Sequence, residues 1–403
     1  MESTKHIVLL GDGMADEPIK ELGDKTPLQY AKTPNMDKIA RGGVSGMVKT
    51  IPDGFEPGSD VANMSILGYD PSKYYTGRAP IEAANMGIEL QPSDIAYRMN
   101  LVTLGNDDSG RRKMVDYSAG HITTEESTKI VQYIEREFGD FEFSFYPGKS
   151  YRHIMVWKNG KEEIVTTPPH DILGSEIGMY LPHGNGAGKI LKIMRDSQRV
   201  LPEHPVNEAR VSKGVNSANS LWLWGQGRKP TLPDFKELFG IGWGAVISAV
   251  DLVQGLGVLM GLSVIEVKGA TGWLDTNYSG KVDAALKALS AGADFIYLHI
   301  EAPDEAGHMG DTPLKVQAIE EFDKYVVGPI LDGMERYDKY RILLLPDHHT
   351  PVGIRTHTSE PVPFSLFGTQ FLATNVDGFS ESSCEKSGLY IDKGDTLMSV
   401  FFG

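Results

Sequence analysis

Short apolar runs that stop abruptly at acidic or imidazole-bearing turns recur toward both ends of the chain. Ile7–Leu10 is the first such run. It is too short for a helix and suits a strand buried on both faces. It leads straight into Gly11-Asp12-Gly13, a turn. Thr33-Pro34-Asn35-Met36-Asp37 predicts a helix start, with Thr33 as the cap and Pro34 in the first turn. Pro52–Asp60 is rich in Gly, Pro and Asp and reads as a loop.

The C-terminal half repeats the pattern. Phe295–Ile300 is an apolar strand ending at Glu301-Ala302-Pro303-Asp304. Thr312-Pro313 opens a long helix whose Leu314, Ile319, Phe322, Val326 and Ile330 fall near helical spacing. Arg341–Leu345 is a further buried strand, and Pro346-Asp347-His348-His349 follows it. Strand, polar turn and helix in succession predict an α/β fold: a mainly parallel sheet flanked by helices, with one functional edge at the carboxyl ends of its strands. The middle of the chain alternates instead. Arg98–Thr103 and Tyr151–Lys158 read as strands, with Met114–Gly120 and Thr166–Gly174 as strand ends or loops. We therefore expect a discontinuous core, residues 1–75 and 235–403, and an inserted α+β domain, residues 76–234.

Composition narrows the function classes. The chain has 403 residues, of which 40% are hydrophobic and 23% charged, so it is globular. A net charge of −15 argues against a nucleic-acid or anionic-membrane binder, because the overall field repels phosphate polymers. A small phosphate ester held by local Arg stays compatible. With Cys384 as the sole cysteine, a disulfide framework, a zinc ribbon or a CxxC redox pair cannot form within one chain. Any metal must be held by His, Asp and Glu, which suits Mn, Mg, Zn or Co. The most apolar window, Gly242–Leu262, approaches the length of a membrane span, but Asp251 and Gln254 interrupt it. It reads as a buried helix, and the N-terminus lacks the apolar run of a signal peptide. The expectation is a cytoplasmic protein with no membrane partner, leaving room for a homo-oligomer.

Four stretches concentrate the chemistry: Asp12 in LLGDGM, Ser59-Asp60 in PGSDVANMS, Asp304 and His308 in EAPDEAGHMGD, and Asp347, His348 and His357 in LPDHHTPVGIRTHT. Each alone has an ordinary reading. An Asp after a strand is commonly a turn residue, DxxxH is a frequent accident, and a loop serine is usually just that. His349 reads as a loop or outer residue, since adjacent residues rarely all ligate one centre. Together, three Asp, three His and one Ser at strand ends are enough for two metals of about four ligands each. Two cations about 3.5–4 Å apart can clamp both oxygens of a phosphoryl transfer. Coordination would also activate a serine hydroxyl that is otherwise a weak nucleophile near neutral pH.

The set GDGM, PGSDVANMSILGYDP, EAPDEAGHMGD, LPDHHTP and THTSEPVPF resembles the alkaline phosphatase superfamily, and within it the archaeal-type cofactor-independent phosphoglycerate mutases. The resemblance extends through the middle by SAGHI, YRH, PPHD, NSLWLWGQGR, SAVDL and GATG followed by DTNY. It implies one metal site at Asp304, His308 and His357, and another at Asp12, Ser59, Asp347 and His348, with Ser59 as the phosphorylated nucleophile. It also implies two divalent ions, manganese first, and a small phosphorylated substrate. The insert would supply Arg78, His121, Arg152, His170, Asp171, Arg210 and Arg228 to bind phosphate and carboxylate, since the Arg fork makes paired hydrogen bonds to such groups. One departure stands out. Gln254 stands where these mutases carry a Lys beside the metals, and Lys281 is the candidate to replace that cation. The implied activity is interconversion of 3- and 2-phosphoglycerate through a phosphoserine. The alternatives are a homoserine kinase-like phosphotransferase or a metal-dependent phosphatase on the same scaffold, and, from another class, a non-catalytic nucleotide- or phosphate-sensing module.

Overall fold

The computed structural model describes residues 4–403. They form two compact units, one running to Tyr75 and resuming at Thr231, the other spanning Thr76–Pro230. The chain thus re-enters the first unit slightly before the boundary expected at 234.

The first unit is built on an eight-stranded sheet. In spatial order its strands are Ser263–Val264, Gly244–Ile247, Phe295–Ile300, Lys5–Gly11, Tyr340–Leu345, Val362–Gly368, Val44–Val48 and Tyr390–Ile391. Val362–Gly368 runs antiparallel to both neighbours, and every other adjacent pair is parallel. Lys5–Gly11 lies between the two strands that carry the other acidic turns. Its register pairs Leu10 with both His299 and Leu345. The three carboxyl ends are therefore level, and Asp12, Glu301–Asp304 and Asp347 leave the sheet along one edge. The run Ile7–Leu10 is fully buried, as are Ile296, Leu298, Ile342 and Leu344. Burial on both faces is what makes continuous apolar runs, rather than alternating ones, form these strands.

Three local expectations are corrected. The apolar window Gly242–Leu262 is not one helix. It is the strand Gly244–Ile247 followed by the helix Asp251–Leu259, with Asp251 in the first turn, where an acidic residue suits the helix dipole. No helix among the described residues is long and apolar enough to cross a membrane. Pro34 does begin the helix Pro34–Gly42, but Thr33 makes no side-chain cap. Asp323 caps it instead, accepting from the amides of Met36 at 2.7 Å and Asn35 at 3.3 Å. The long helix expected from Thr312 is present and runs on to Met334, with Asp323 at the start of a π segment inside it. A regular helix, Thr312–Phe322, gives way to a π turn, Asp323–Val327, before Gly328–Met334 resumes. Finally, the loop ends two residues earlier than expected at its functional end: Ser59 and Asp60 open the helix Ser59–Ile66.

The second unit is α+β. Its long strand Ile95–Asn106 pairs antiparallel with Arg152–Trp157, Ser220–Gly227 and Arg112–Asp116, and Phe143–Tyr146 extends the sheet beyond Arg152–Trp157. The helix Thr124–Phe138 starts from a capping box made by Thr123 and Glu126. It packs Ile130, Val131 and Ile134 into a core that includes Tyr97, Met99 and Trp222.

His153, buried in this sheet, makes the unit acid-sensitive. Its Nδ1 accepts the Gly148 amide at 2.9 Å. Burial, reinforced by Arg152, lowers its pKa to about 3. The unfolded chain takes up this proton near pH 6.5, whereas the folded ring resists it down to about pH 3. The stability is complete above pH 6.5 and is lost as pH falls toward 3. At pH 4 the loss from this residue is about 3 kcal/mol, from 1.36 kcal/mol per pH unit. A His153→Gln variant should show a correspondingly smaller drop in urea midpoint between pH 7 and pH 4. An equal drop in variant and parent would remove His153 as the cause.

Candidate metal centre and nucleophile

All seven residues expected to hold metals lie at the carboxyl edge of the first unit's sheet. Asp12, Asp304, Asp347 and His348 are buried, while Ser59, His308 and His357 are half-buried. Two groups have ligand atoms close enough to share an ion: Asp12, Asp347 and His348, and Asp304, His348 and His357. His348 belongs to both, which the sequence did not disclose. His308 joins through Asp304 Oδ2 at 3.2 Å and His357 Nε2 at 3.0 Å. Ser59 Oγ lies 3.1 Å from His348 Nε2, the nitrogen that is also 3.4 Å from Asp12 Oδ1 and from Asp347 Oδ2.

The donor set fits divalent cations. Burial, and then the charges of Asp347, Asp304 and Glu301, raise the Asp12 carboxyl well above its ordinary value. Asp12 Oδ1 is buried without a hydrogen-bond partner. Burial holds His348 neutral, with a pKa of about 4, the form a ligand requires. Burial works to raise Asp304, but His308 and His357 outweigh it and hold that carboxyl well below its usual range. Several carboxylates buried together at low dielectric are costly unless positive charge joins them, and neutral imidazoles with carboxylates suit the borderline divalent metals.

The supporting residues are largely ones that sequence reasoning missed. Asn63, one helical turn after Ser59, donates to the Ser59 carbonyl and to Asp347 Oδ2, both at 2.8 Å. Tyr297 OH donates to Asn63 Oδ1 at 2.6 Å, which sets the amide's orientation. Gly13 N and His348 N occupy Asp347 Oδ1. His299, the one polar residue in an otherwise apolar strand, places Nε2 3.1 Å from Asp12 Oδ2. That lone histidine was the available signal. Asp60 turns away from the cluster: Tyr75 OH and the Val61 amide bind its carboxylate. His349 bonds the Pro361 carbonyl through Nε2 at 3.1 Å and belongs to neither ligand group. Gln254 donates its amide to the Ser248 carbonyl at 2.7 Å. Lys281 is fully buried beside the strand Phe295–Ile300, with Nζ 3.4 Å from the His299 carbonyl. Burial lowers its pKa to about 8, against the opposing charge of Glu301.

In the second unit the expected anion-binding residues separate. Arg78, Arg152 and His170 fall into one chain of contacts, and Arg98, which the sequence did not single out, completes it. Arg78 and Arg98 share the Glu82 carboxylate, at 3.1 and 2.9 Å. Arg98 is buried under Trp224, its guanidinium carbon 4.4 Å from the ring centroid. His170 meets Trp224 and Tyr117 edge-on, Tyr117 meets Tyr151, and Arg152 lies over Tyr151. Burial lowers the pKa of Arg98 to about 10; Glu82 opposes this, and Arg78 and Arg152 add to it. Asp171 is exposed, 3.6 Å from His170 Nε2. His121 is exposed with a left-handed backbone, φ 48°. Arg210 is committed elsewhere: it pairs with Glu126 at 2.7 Å and donates to the carbonyls of Ala119 and Asn216. Arg228 pairs with Glu162 at 2.8 Å and donates to the Pro92 carbonyl.

The chain as a whole is similar to known proteins. A profile of 2,3-bisphosphoglycerate-independent phosphoglycerate mutase matches residues 40–207. A Geobacter sulfurreducens protein, named a probable 2,3-bisphosphoglycerate-independent phosphoglycerate mutase, is 54% identical over 397 residues, covering 98% of this chain and 99% of its own. A Methanothrix thermoacetophila protein named as that mutase is 52% identical over 397 residues, with the same coverage. Among solved structures, a Pyrococcus horikoshii protein superposes with a TM-score of 0.83 at 31% identity, covering 100% of this chain and 97% of that one. A cofactor-independent phosphoglycerate mutase from Thermoplasma acidophilum superposes with a TM-score of 0.66 at 27% identity, covering 100% and 99%.

Proposed function

The chain belongs to the 2,3-bisphosphoglycerate-independent phosphoglycerate mutase family, and on that premise we propose that it interconverts 3- and 2-phosphoglycerate through a phosphoserine at Ser59. The observation that carries this reading is the position of the Ser59 hydroxyl, 3.1 Å from an imidazole shared by both ligand groups.

Asp304, His308 and His357 would hold one cation, and Asp12, Asp347, His348 and Ser59 the other. When bound, divalent cations supply positive charge that favours the serine alkoxide and offsets charge on the phosphoryl oxygens. The chain's own groups do the rest. Ser59 Oγ forms a bond to phosphorus as the ester bond to the glycerate breaks, and the freed hydroxyl takes a proton. Attack on phosphoserine by the neighbouring glycerate hydroxyl then returns the phosphoryl group, so no co-reactant is consumed. Asn63 keeps the nucleophile's helical turn and Asp347 in fixed relation. Arg78, Arg98, Arg152 and His170 are the groups we assign to the substrate's anionic oxygens, because three guanidinium groups gather in this one chain of contacts, near enough that Arg78 and Arg152 lower the pKa of Arg98. Arg210 and Arg228 are paired with Glu126 and Glu162 within their own unit. Manganese is our first choice of ion for this mixed imidazole and carboxylate set, and the cytoplasm our choice of compartment.

Protein stripped with a chelator and then given Mn²⁺ tests the reading. The stripped form should be inactive on 3-phosphoglycerate, and Mn²⁺ should restore formation of 2-phosphoglycerate without 2,3-bisphosphoglycerate. Full activity after complete metal removal would refute the metal assignment. ATP-dependent phosphorylation of homoserine, with no mutase activity, would move the chain to the kinase alternative.

A further inference from the structure

Resting on the reading that these side chains hold divalent cations, we propose that Thr350 is a positioning residue that dictates which nitrogen of His348 carries the proton, and so couples the two ligand groups. Thr350 is fully buried. Its hydroxyl donates to Asp304 Oδ1 and also lies 3.2 Å from His348 Nδ1. A hydroxyl has one proton to give, and an ionised carboxylate can only accept. The Thr350 proton therefore belongs to Asp304. What remains for His348 is an oxygen lone pair, which Nδ1 can meet only by carrying a hydrogen itself. The neutral ring then has its bare nitrogen at Nε2.

Nε2 is where a lone pair is needed. It faces Ser59 Oγ at 3.1 Å and the carboxylates of Asp12 and Asp347 at 3.4 Å. The other tautomer would place a hydrogen where a ligand must donate electrons. Direction thus runs one way, from His348 Nδ1–H to Thr350 and from Thr350 to Asp304. One hydroxyl, engaged by a carboxylate of one group, thereby meets the imidazole that serves both. Outer hydrogen bonds of this kind commonly orient ligating histidines and tune affinity.

The main chain around Thr350 holds the hydroxyl in place. Its amide donates to the Ala15 carbonyl at 3.2 Å. Its carbonyl accepts from Lys315 Nζ at 2.8 Å, and that buried ammonium also pairs with Asp16 at 2.7 Å. A Cβ on Gly307 would lie 2.5 Å from the Thr350 carbonyl oxygen, so the helix backbone also packs directly against it.

The test compares parent, Thr350→Val and Thr350→Ser. Nitrogen-15 NMR of histidine-labelled, metal-free protein reads the His348 tautomer. Calorimetry with Mn²⁺ alone reads uptake. Parent and Thr350→Ser should carry the His348 hydrogen on Nδ1. Thr350→Val should lose that preference and bind Mn²⁺ about 10–100-fold more weakly at the site that uses His348. A parent spectrum with the hydrogen on Nε2 overturns the proposal even if the valine variant does not fold. So does a folded valine variant with parental tautomer and affinity. A parent that takes up no Mn²⁺ overturns the cation reading instead, and the tautomer spectrum still decides the role of Thr350.

Discussion

Ser59→Ala is expected to lose mutase turnover by a factor on the order of 10⁵–10⁶, the scale on which removing a covalent nucleophile acts in a hydrolase of known mechanism. The size follows from the absence of a substitute. Ser59 is the only hydroxyl hydrogen-bonded to His348 Nε2 among the described residues, because Thr350 contacts the opposite nitrogen. The other oxygens near that nitrogen are carboxylates, and they would be neutralised by the cations they bind. The fold should survive. Ser59 is half-buried at the first position of its helix, and its side chain makes no cap there. Intact-mass measurement after brief incubation with 3-phosphoglycerate checks the same point: the parent should show a phosphorylated species, and the variant should not. A phosphorylated Ser59→Ala protein, or one with near-parental turnover, would place the nucleophile elsewhere.

Gly13→Ala is expected to empty the metal centre without touching a ligand. Gly13 has φ 58°, in the left-handed region that L residues adopt at a cost of about 1–2 kcal/mol. Space makes the substitution worse. An added Cβ would lie 2.4 Å from Asp304 Oδ1, 2.4 Å from Thr350 Oγ1 and 2.8 Å from the Asp304 Cα. The last is a backbone atom at the start of a helix and cannot rotate away. Overpacking of this kind costs about 1–3 kcal/mol more. Either the 11–14 turn withdraws, carrying Asp12 and the amide that binds Asp347 Oδ1, or Asp304 and Thr350 are pushed aside. Both outcomes break a ligand group. Metal content after dialysis against Mn²⁺ should fall well below the parental value, together with the melting temperature. Full metal content and activity in the variant would show that the turn relaxes without cost.

Much of this site was legible because its parts are local. Asp12, Asp304 and Asp347 each follow a run of apolar residues, and such runs must be buried strands whose ends emerge together when the strands are parallel. Other features were hidden for identifiable reasons. Ser59 was placed in a loop because Gly, Pro and Asp precede it, while the helix it opens is too short for its apolar pattern to show. The window Gly242–Leu262 looked like one apolar helix because a strand and a helix that are both buried have no contrasting polar face. Arg210 reads as an anion binder from its residue type, while its partners Glu126, Ala119 and Asn216 are visible only once the chain is folded.

Residue types and their punctuation determined which side chains carry chemistry and where each strand stops. The tertiary structure alone decided which of them meet, because the decisive pairs are distant along the chain: Ser59 with His348, Asn63 with Asp347, Thr350 with Asp304. Their approach depends on the register that levels three strand ends, and on a glycine small enough to let two loops touch. Register and close approach are properties of packed backbones, and no single segment of the chain encodes them.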